Sequence, residues 1–309
     1  MALPLQKICR PMGSPQQLFR RPERTSNFQR LELVSVNCGS VGIFDSGFGG
    51  LSILSALNDL VPQEDLIYFG DTQRYPYGPR SLDDVKEFAS QISWFLVKEY
   101  DVKMVVVACN TASAAALNHL RESIPVPVVG VIDAGVRAAQ AVTVNRSIGV
   151  IATVGTVSSG AYQRRFGQDD LLVTYQSCPG LVEFVERGET YSEEVLILLR
   201  ALLEPVIRSR ADTVLLACTH YPFLSRAISD VVGREVFLVS SAEETAFEVS
   251  TMLGGESLEC ERDDTGSIRY VTTGDPFTFM KLGSQLSGLT IDSVRHVDVE
   301  YLVTNYRKV

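Results

Sequence analysis

The feature that most limits what this chain can fold into is a repeated unit, a short and mostly apolar run followed by a helical stretch. Such runs stand at Val41–Phe44, Asp65–Phe69, Met104–Ala108 and Val126–Ile132, and again at Ser147–Ile151, Leu171–Tyr175 and Thr213–Ala217. Between the second and third of them, Leu82–Tyr100 carries Val85, Phe88, Ile92, Phe95 and Leu96 at helical spacing. Helices are also expected over Ala112–Arg121, Ser158–Phe166, from Leu181 to Glu186, and over Ser192–Ser209 in spite of Pro205. Apolar strands alternating with helices form parallel sheets covered on both faces. The expected fold is therefore α/β, with two such sheets side by side.

Composition narrows the function. The 309 residues are 45% hydrophobic and 21% charged, the balance of a soluble globular protein. No run of about 18 uncharged apolar residues exists, so no membrane span is expected. The net charge of −9 argues against a nucleic-acid binder held by bulk charge and leaves room only for a local basic patch. Residues 1 to about 37 differ from the rest. They hold six basic and two acidic residues and four prolines, which leaves 22 basic against 35 acidic residues in the remainder. A disordered tail or a start codon placed too early is the expected reading of this extension, with an Arg-rich transit peptide or a regulatory arm as the alternatives.

Six cysteines stand at 9, 38, 109, 178, 218 and 260. None form a C-x-x-C pair, which argues against a zinc knuckle or a thioredoxin-type motif. With no signal-peptide core, reduced thiols in a cytoplasm are the simplest expectation. Two of the cysteines share a context. Asp101–Thr111 and Ala211–His220 are each an apolar strand closed by Ala-Cys and then polar residues. A thiol just past a strand, at the start of a helix, meets exposed N–H groups, and its pKa is expected to be depressed. Ligand sites of open α/β sheets also gather at the carboxyl ends of strands. Two opposed thiols suit inversion of a carbon centre, with a base on one face and an acid on the other. No metal constellation is evident, and no Lys stands in a context that marks a Schiff base. The expectation is proton transfer without metal or cofactor.

Four ordered motifs then resemble one family. They are Val41-Gly-Ile-Phe-Asp-Ser-Gly-Phe-Gly-Gly-Leu51, Tyr68-Phe-Gly-Asp-Thr-Gln-Arg-Tyr-Pro-Tyr-Gly78, Val107-Ala-Cys-Asn-Thr-Ala112 and Leu216-Ala-Cys-Thr-His-Tyr-Pro222. The chain resembles the glutamate racemases of the aspartate/glutamate racemase superfamily over about residues 39–309, and Cys218-Thr219-His220 favours the glutamate branch. The resemblance implies two similar parallel-sheet domains facing each other across a central cleft. The first would span 39–133 plus 241–309 and the second 134–240, after an extension at 1–38. It implies that Cys109 acts on D-glutamate and Cys218 on L-glutamate, assisted by Asp45 and His220. Ser46, Tyr77, Gly78, Asn110, Thr111 and Thr219 would hold the substrate, together with Thr153 and Thr156. Glu186 would be the auxiliary carboxylate near the second cysteine, with Glu183 as the alternative. The glycine-rich Asp45–Gly50 stretch lacks a phosphate loop's Lys and spacing, and is expected to be a tight turn bringing backbone N–H groups near the ligand. Cys178 resembles a structural cysteine of the family, whereas Cys9, Cys38 and Cys260 carry no catalytic signal. The implied role is supply of D-glutamate for peptidoglycan, in the cytoplasm, with no cofactor and as a homodimer. A racemase of another amino acid such as aspartate, and a non-catalytic amino-acid-binding protein, are the alternatives. Activation by a cell-wall precursor and inhibition of DNA gyrase, known in some relatives, have no mark in this sequence.

Overall fold

The computed structural model describes residues 39–167 and 170–306. The N-terminal extension, with Cys9 and Cys38, lies outside the described residues. The chain runs β1 (Val41–Asp45), α1 (Leu51–Leu60), β2 (Leu66–Gly70), α2 (Leu82–Tyr100), β3 (Met104–Val107), α3 (Asn110–Ser123), β4 (Val128–Gly130) and α4 (Ile132–Val142). It continues through β5 (Ser147–Ala152), α5 (Val154–Ser158), α6 (Ala161–Phe166), β6 (Leu172–Ser177), α7 (Leu181–Glu186), α8 (Glu193–Arg208) and β7 (Thr213–Ala217). A 3₁₀ turn (Tyr221–Leu224) precedes α9 (Ser225–Val232), β8 (Phe237–Val239), α10 (Ala242–Gly255), β9 (Ile268–Thr272), α11 (Pro276–Ser287), β10 (Arg295–His296) and α12 (Val299–Tyr306).

The strands form a six-stranded sheet, β10-β9-β2-β1-β3-β4, and a four-stranded sheet, β6-β5-β7-β8. Every pairing is parallel. The order β2-β1-β3-β4 thus recurs as β6-β5-β7-β8, and β9 and β10 extend the first sheet from the C-terminal part of the chain. In both sheets the strand order reverses between the first strand and the cysteine-bearing one, β1/β3 and β5/β7. Such a switch point opens a crevice at the strands' carboxyl ends.

The two-residue period of a strand explains why these runs carry apolar residues on both faces. Phe44, Ile67, Phe69, Val105 and Val107 pack into one core with residues of α2, α3 and α12. Their alternates Val41, Ile43, Leu66, Tyr68, Met104 and Val106 pack with residues of α1, α10 and α11 on the other face. The second sheet divides in the same way. Ile151, Val214 and Leu216 join the core containing α7, α8 and α9, whereas Ile148, Val150, Leu215 and Ala217 face α4 and α6.

Three expected elements differ from the sequence reading. The helix expected over Ser158–Phe166 begins only at Ala161, because Gly160 at φ 67° breaks the path from α5, which ends at Ser158. The strand expected over Val126–Ile132 is only Val128–Gly130, because α4 already begins at Ile132. The strand expected to end at Tyr175 pairs with β5 through Ser177. Pro205 does sit inside α8, which Ser192 caps by accepting from the Val195 N–H at 3.3 Å. Among the described residues, Cys109, Cys178 and Cys218 are free. Among the described residues, no helix is long and apolar enough to cross a membrane.

Candidate active site

The carboxyl ends of β1, β3, β5 and β7 deliver Ser46, Cys109, Thr153 and Cys218 to one cavity. Its volume is about 70 Å³, room for several waters and matched to a small ligand. Tyr77, Gly78, Asn110, Thr111, Thr219 and His220 also line it. Asp45, Thr156 and Glu186 stand behind these lining residues, in contact with them. Both cysteines therefore border a shared space, and each is only 5% exposed.

Cys109 is the N-cap of α3, extended at φ −67° and ψ 123°, so its side chain stands at the helix mouth. The Ala112 N–H points at the sulfur, and the Ser46 hydroxyl lies 3.9 Å away. The expected depression of its pKa is nevertheless overturned. Burial and the nearby Asp45 carboxylate push the thiol up to about 12, against the pull of the Ala112 N–H. The helix start supplies a favourable dipole, but desolvation and a like charge outweigh it. Alkylation of Cys109 by iodoacetamide should accordingly be slow at pH 7 and rise close to tenfold per pH unit up to pH 10. Peptide mass spectrometry of the time course measures this, and a plateau below pH 9 would contradict it.

Cys218 sits in the opposite electrostatic setting. The His220 Nδ1 lies 3.9 Å from its sulfur, and the His220 Nε2 lies 2.6 Å from Glu186 Oε1. Burial alone would drive the ring toward its neutral form. The hydrogen bonds and charge of Cys218 and Glu186 prevail, and hold its pKa well above the ordinary value. The protonated ring donates to Glu186 and places a cation beside the Cys218 sulfur. Of the two carboxylates left open by the sequence, Glu186 is the one bonded to His220, and Glu183 lines the cavity from an exposed position.

The remaining residues are held by contacts between the two halves of the site. Asp45, fully buried, accepts from the Gly47 N–H at 3.0 Å and from the Thr219 hydroxyl at 3.1 Å. The hydroxyls of Thr111, Thr153 and Thr156 form a triangle with edges of 2.9, 3.2 and 2.9 Å. The Tyr162 hydroxyl donates to Asn110 Oδ1 at 2.6 Å, while the buried Asn110 Nδ2 has no acceptor among the described residues. Tyr162 fixes which end of the amide is the acceptor and leaves the NH₂ group available to a carboxylate.

The glycine-rich turn does something other than expected. Its N–H groups meet the protein's own acids, Gly47 on Asp45 and Phe48 on Glu186 Oε1 at 3.4 Å. The cavity lining includes Ser46 but none of Gly47 to Gly50. The turn's role is close approach: a Cβ at Gly49 would lie 2.4 Å from Thr219 Oγ1 and 2.6 Å from His220 Nδ1. Tyr162 and Asp71 have no site role in the sequence reading, and Cys178 has only a structural one there. Cys178 lines the cavity and Tyr162 orients Asn110, and nothing in their local sequence signals either. His119 and His296 do not border the cavity.

Two parallel α/β sheets, each bringing a cysteine from a strand end to one small cavity, define a two-thiol α/β cleft protein. The family model described as Asp/Glu/Hydantoin racemase matches residues 49–246. The chain belongs to that racemase family. It is 47% identical over 259 residues to a glutamate racemase of Mycobacterium ulcerans, covering 83% of this chain and 95% of that one. A crystal structure of a glutamate racemase isoform from Bacillus anthracis superposes with a TM-score of 0.81 at 39% identity, covering 85% of this chain and 98% of that one. A glutamate racemase from Francisella tularensis, solved in complex with D-glutamate, gives 0.79 at 29% identity, covering 86% and 99%.

Proposed function

We propose that the protein interconverts L- and D-glutamate by direct proton transfer at Cα, with Cys109 and Cys218 as the two acid–base groups. The observation that carries this reading is that two free cysteines, from strands of different sheets, border one small cavity. The α-proton leaves one face of the carbon to a thiolate while a thiol delivers a proton to the other face. After one turnover the two groups have exchanged protonation states, and the site is set for the reverse direction. In this reading Cys109, beside Asp45, acts on the D enantiomer, and Cys218, 3.9 Å from the His220 ring, acts on the L enantiomer.

Asp45 and His220 assist Cys109 and Cys218 respectively, and Glu186 holds His220 in its protonated form. The Asn110 NH₂ group, the Thr111–Thr153–Thr156 hydroxyls, Ser46, Thr219 and the Tyr77–Gly78 segment bind the substrate's carboxylates and ammonium. Residues 39–133 with 241–309 form one domain and 134–240 the other, so that a small rotation between them closes the cleft and excludes water. The same reading makes the protein a cytoplasmic homodimer that supplies D-glutamate for peptidoglycan.

The test is turnover followed by circular dichroism with each enantiomer of glutamate and of aspartate. Racemisation of both glutamate enantiomers, with aspartate at least about a hundredfold poorer in kcat/KM, is expected. Binding of glutamate without loss of optical activity would remove the enzyme reading, and a preference for aspartate would move it to another substrate.

A further inference from the structure

One buried carboxylate outside the cavity has more partners than packing requires. Asp71 follows β2 directly and is fully buried, yet it does not line the cavity. Its Oδ2 accepts from Arg74 Nε at 2.7 Å and from the Tyr77 hydroxyl, and its Oδ1 accepts from the Thr273 hydroxyl at 2.8 Å. Its own N–H donates to the Asp45 carbonyl at 3.0 Å, which ties it to the end of β1. Arg74 is in turn fixed by Gln91 Oε1 at 2.5 Å and by the Phe88 ring, 4.3 Å below its guanidinium carbon. The carboxylate therefore keeps a full set of donors and a compensating cation, as a buried charge must.

Those contacts converge on one segment. Tyr77 is held from beneath through its hydroxyl, and the next residue, Gly78, accepts from the Gly155 N–H at 2.9 Å. Gly155 lies in α5, directly after β5 of the other sheet. The approach is tight on both sides: a Cβ on Gly78 would lie 2.9 Å from the Thr153 Cβ, and one on Gly155 would lie 2.8 Å from the Gly78 carbonyl oxygen. The path therefore runs from a carboxylate in the first sheet, through Tyr77 and Gly78, to the backbone beside the threonine triangle in the second.

We propose that Asp71 is a positioning residue for the reaction, whose carboxylate sets the place of Tyr77 and Gly78 and, through the Gly78–Gly155 hydrogen bond, the register between the two sheets at the cavity. The inference rests on the glutamate reading for its kinetic test and on geometry alone for its structural one. An anchor of this kind acts on ligand placement, and misplacement by a fraction of an ångström is costly in a reaction that needs two groups aligned with one carbon.

The experiment compares Asp71→Asn, Tyr77→Phe and the double variant with the wild-type full chain. It uses steady-state glutamate racemisation and hydrogen–deuterium exchange of the 150–160 amides. Each single variant should raise KM at least fivefold and lower kcat/KM between ten- and a hundredfold. The double variant should be no worse than the poorer single one, because both act on the same contact, Asp71→Asn by removing the acceptor's charge and Tyr77→Phe by removing the donor. Exchange at the Gly155 amide should speed up at least tenfold in each variant. A purely structural role would reduce the folded fraction while leaving KM and the Gly155 protection of the folded protein unchanged, and that result overturns the proposal. Should Asp71→Asn fail to fold, Tyr77→Phe deletes the same contact from its other end and decides alone. If the wild-type protein does not turn over glutamate, the functional reading fails, and the Gly155 exchange still decides the role of Asp71.

Discussion

Cys109→Ala and Cys218→Ala are each expected to lower glutamate racemisation by about 10³-fold or more, within the range set by loss of a general acid or base. The two losses should differ in kind. With one thiol gone, the other can still take a proton from its own face and return one there. Such a variant exchanges the α-proton of one enantiomer with solvent without inverting it. By the resemblance, Cys109→Ala should retain exchange of L-glutamate only, and Cys218→Ala exchange of D-glutamate only. Proton NMR of the Cα signal in deuterated water reads both quantities at once. The substitution itself is mild, since each cysteine is a small side chain at the edge of its core. A melting temperature within a few degrees of wild type is expected. Racemisation retained within tenfold in either variant would contradict the assigned roles.

Gly49→Ala is expected to be nearly as damaging, although Gly49 does not line the cavity. The added methyl would lie 2.4 Å from Thr219 Oγ1, 2.6 Å from His220 Nδ1 and 2.8 Å from the Thr219 carbonyl carbon. The last of these is backbone and cannot rotate away. The turn or the Cys218–His220 segment must shift, and with it the Thr219–Asp45 bond, 3.1 Å long, that joins the two halves of the site. Overpacking of this kind costs about 1–3 kcal/mol of stability, and a displacement approaching 1 Å at the reacting groups costs about a hundredfold in rate. Thermal denaturation and kcat/KM should therefore both fall, the second by far the more. Wild-type kcat/KM in Gly49→Ala would show that the turn can move without disturbing the second thiol.

Much of this architecture was legible because the chemistry-bearing residues stand at strand ends. A run such as Met104–Val107 must be a strand buried on both faces, and whatever follows it must emerge at the sheet's carboxyl edge, which places Cys109 and, by the same argument, Cys218. What escaped the sequence depends on contacts between distant segments. Tyr162 meets Asn110 across 52 positions, and Asp71 meets Thr273 across 202. Neither partner carries a local signal. The acid strength of Cys109 failed for a related reason: the helix start is local and visible, whereas the burial and the Asp45 charge that overrule it belong to the assembled fold. The glycine-rich turn was recognised as a turn, but its purpose, close approach to Thr219 and His220, required the second sheet to be in place.

The central claim is that two separate groups, one on each side of Cα, carry the proton in and out. It is tested most directly by starting from protiated L-glutamate in deuterated water and sampling the first few per cent of conversion by mass spectrometry after separating the enantiomers. The account predicts D-glutamate fully deuterated at Cα while the remaining L-glutamate is still protiated. Protium carried over into the D-glutamate, or deuterium appearing in the L pool as fast as in the product, would mean that a single group serves both faces, and the paired-thiol account would fall.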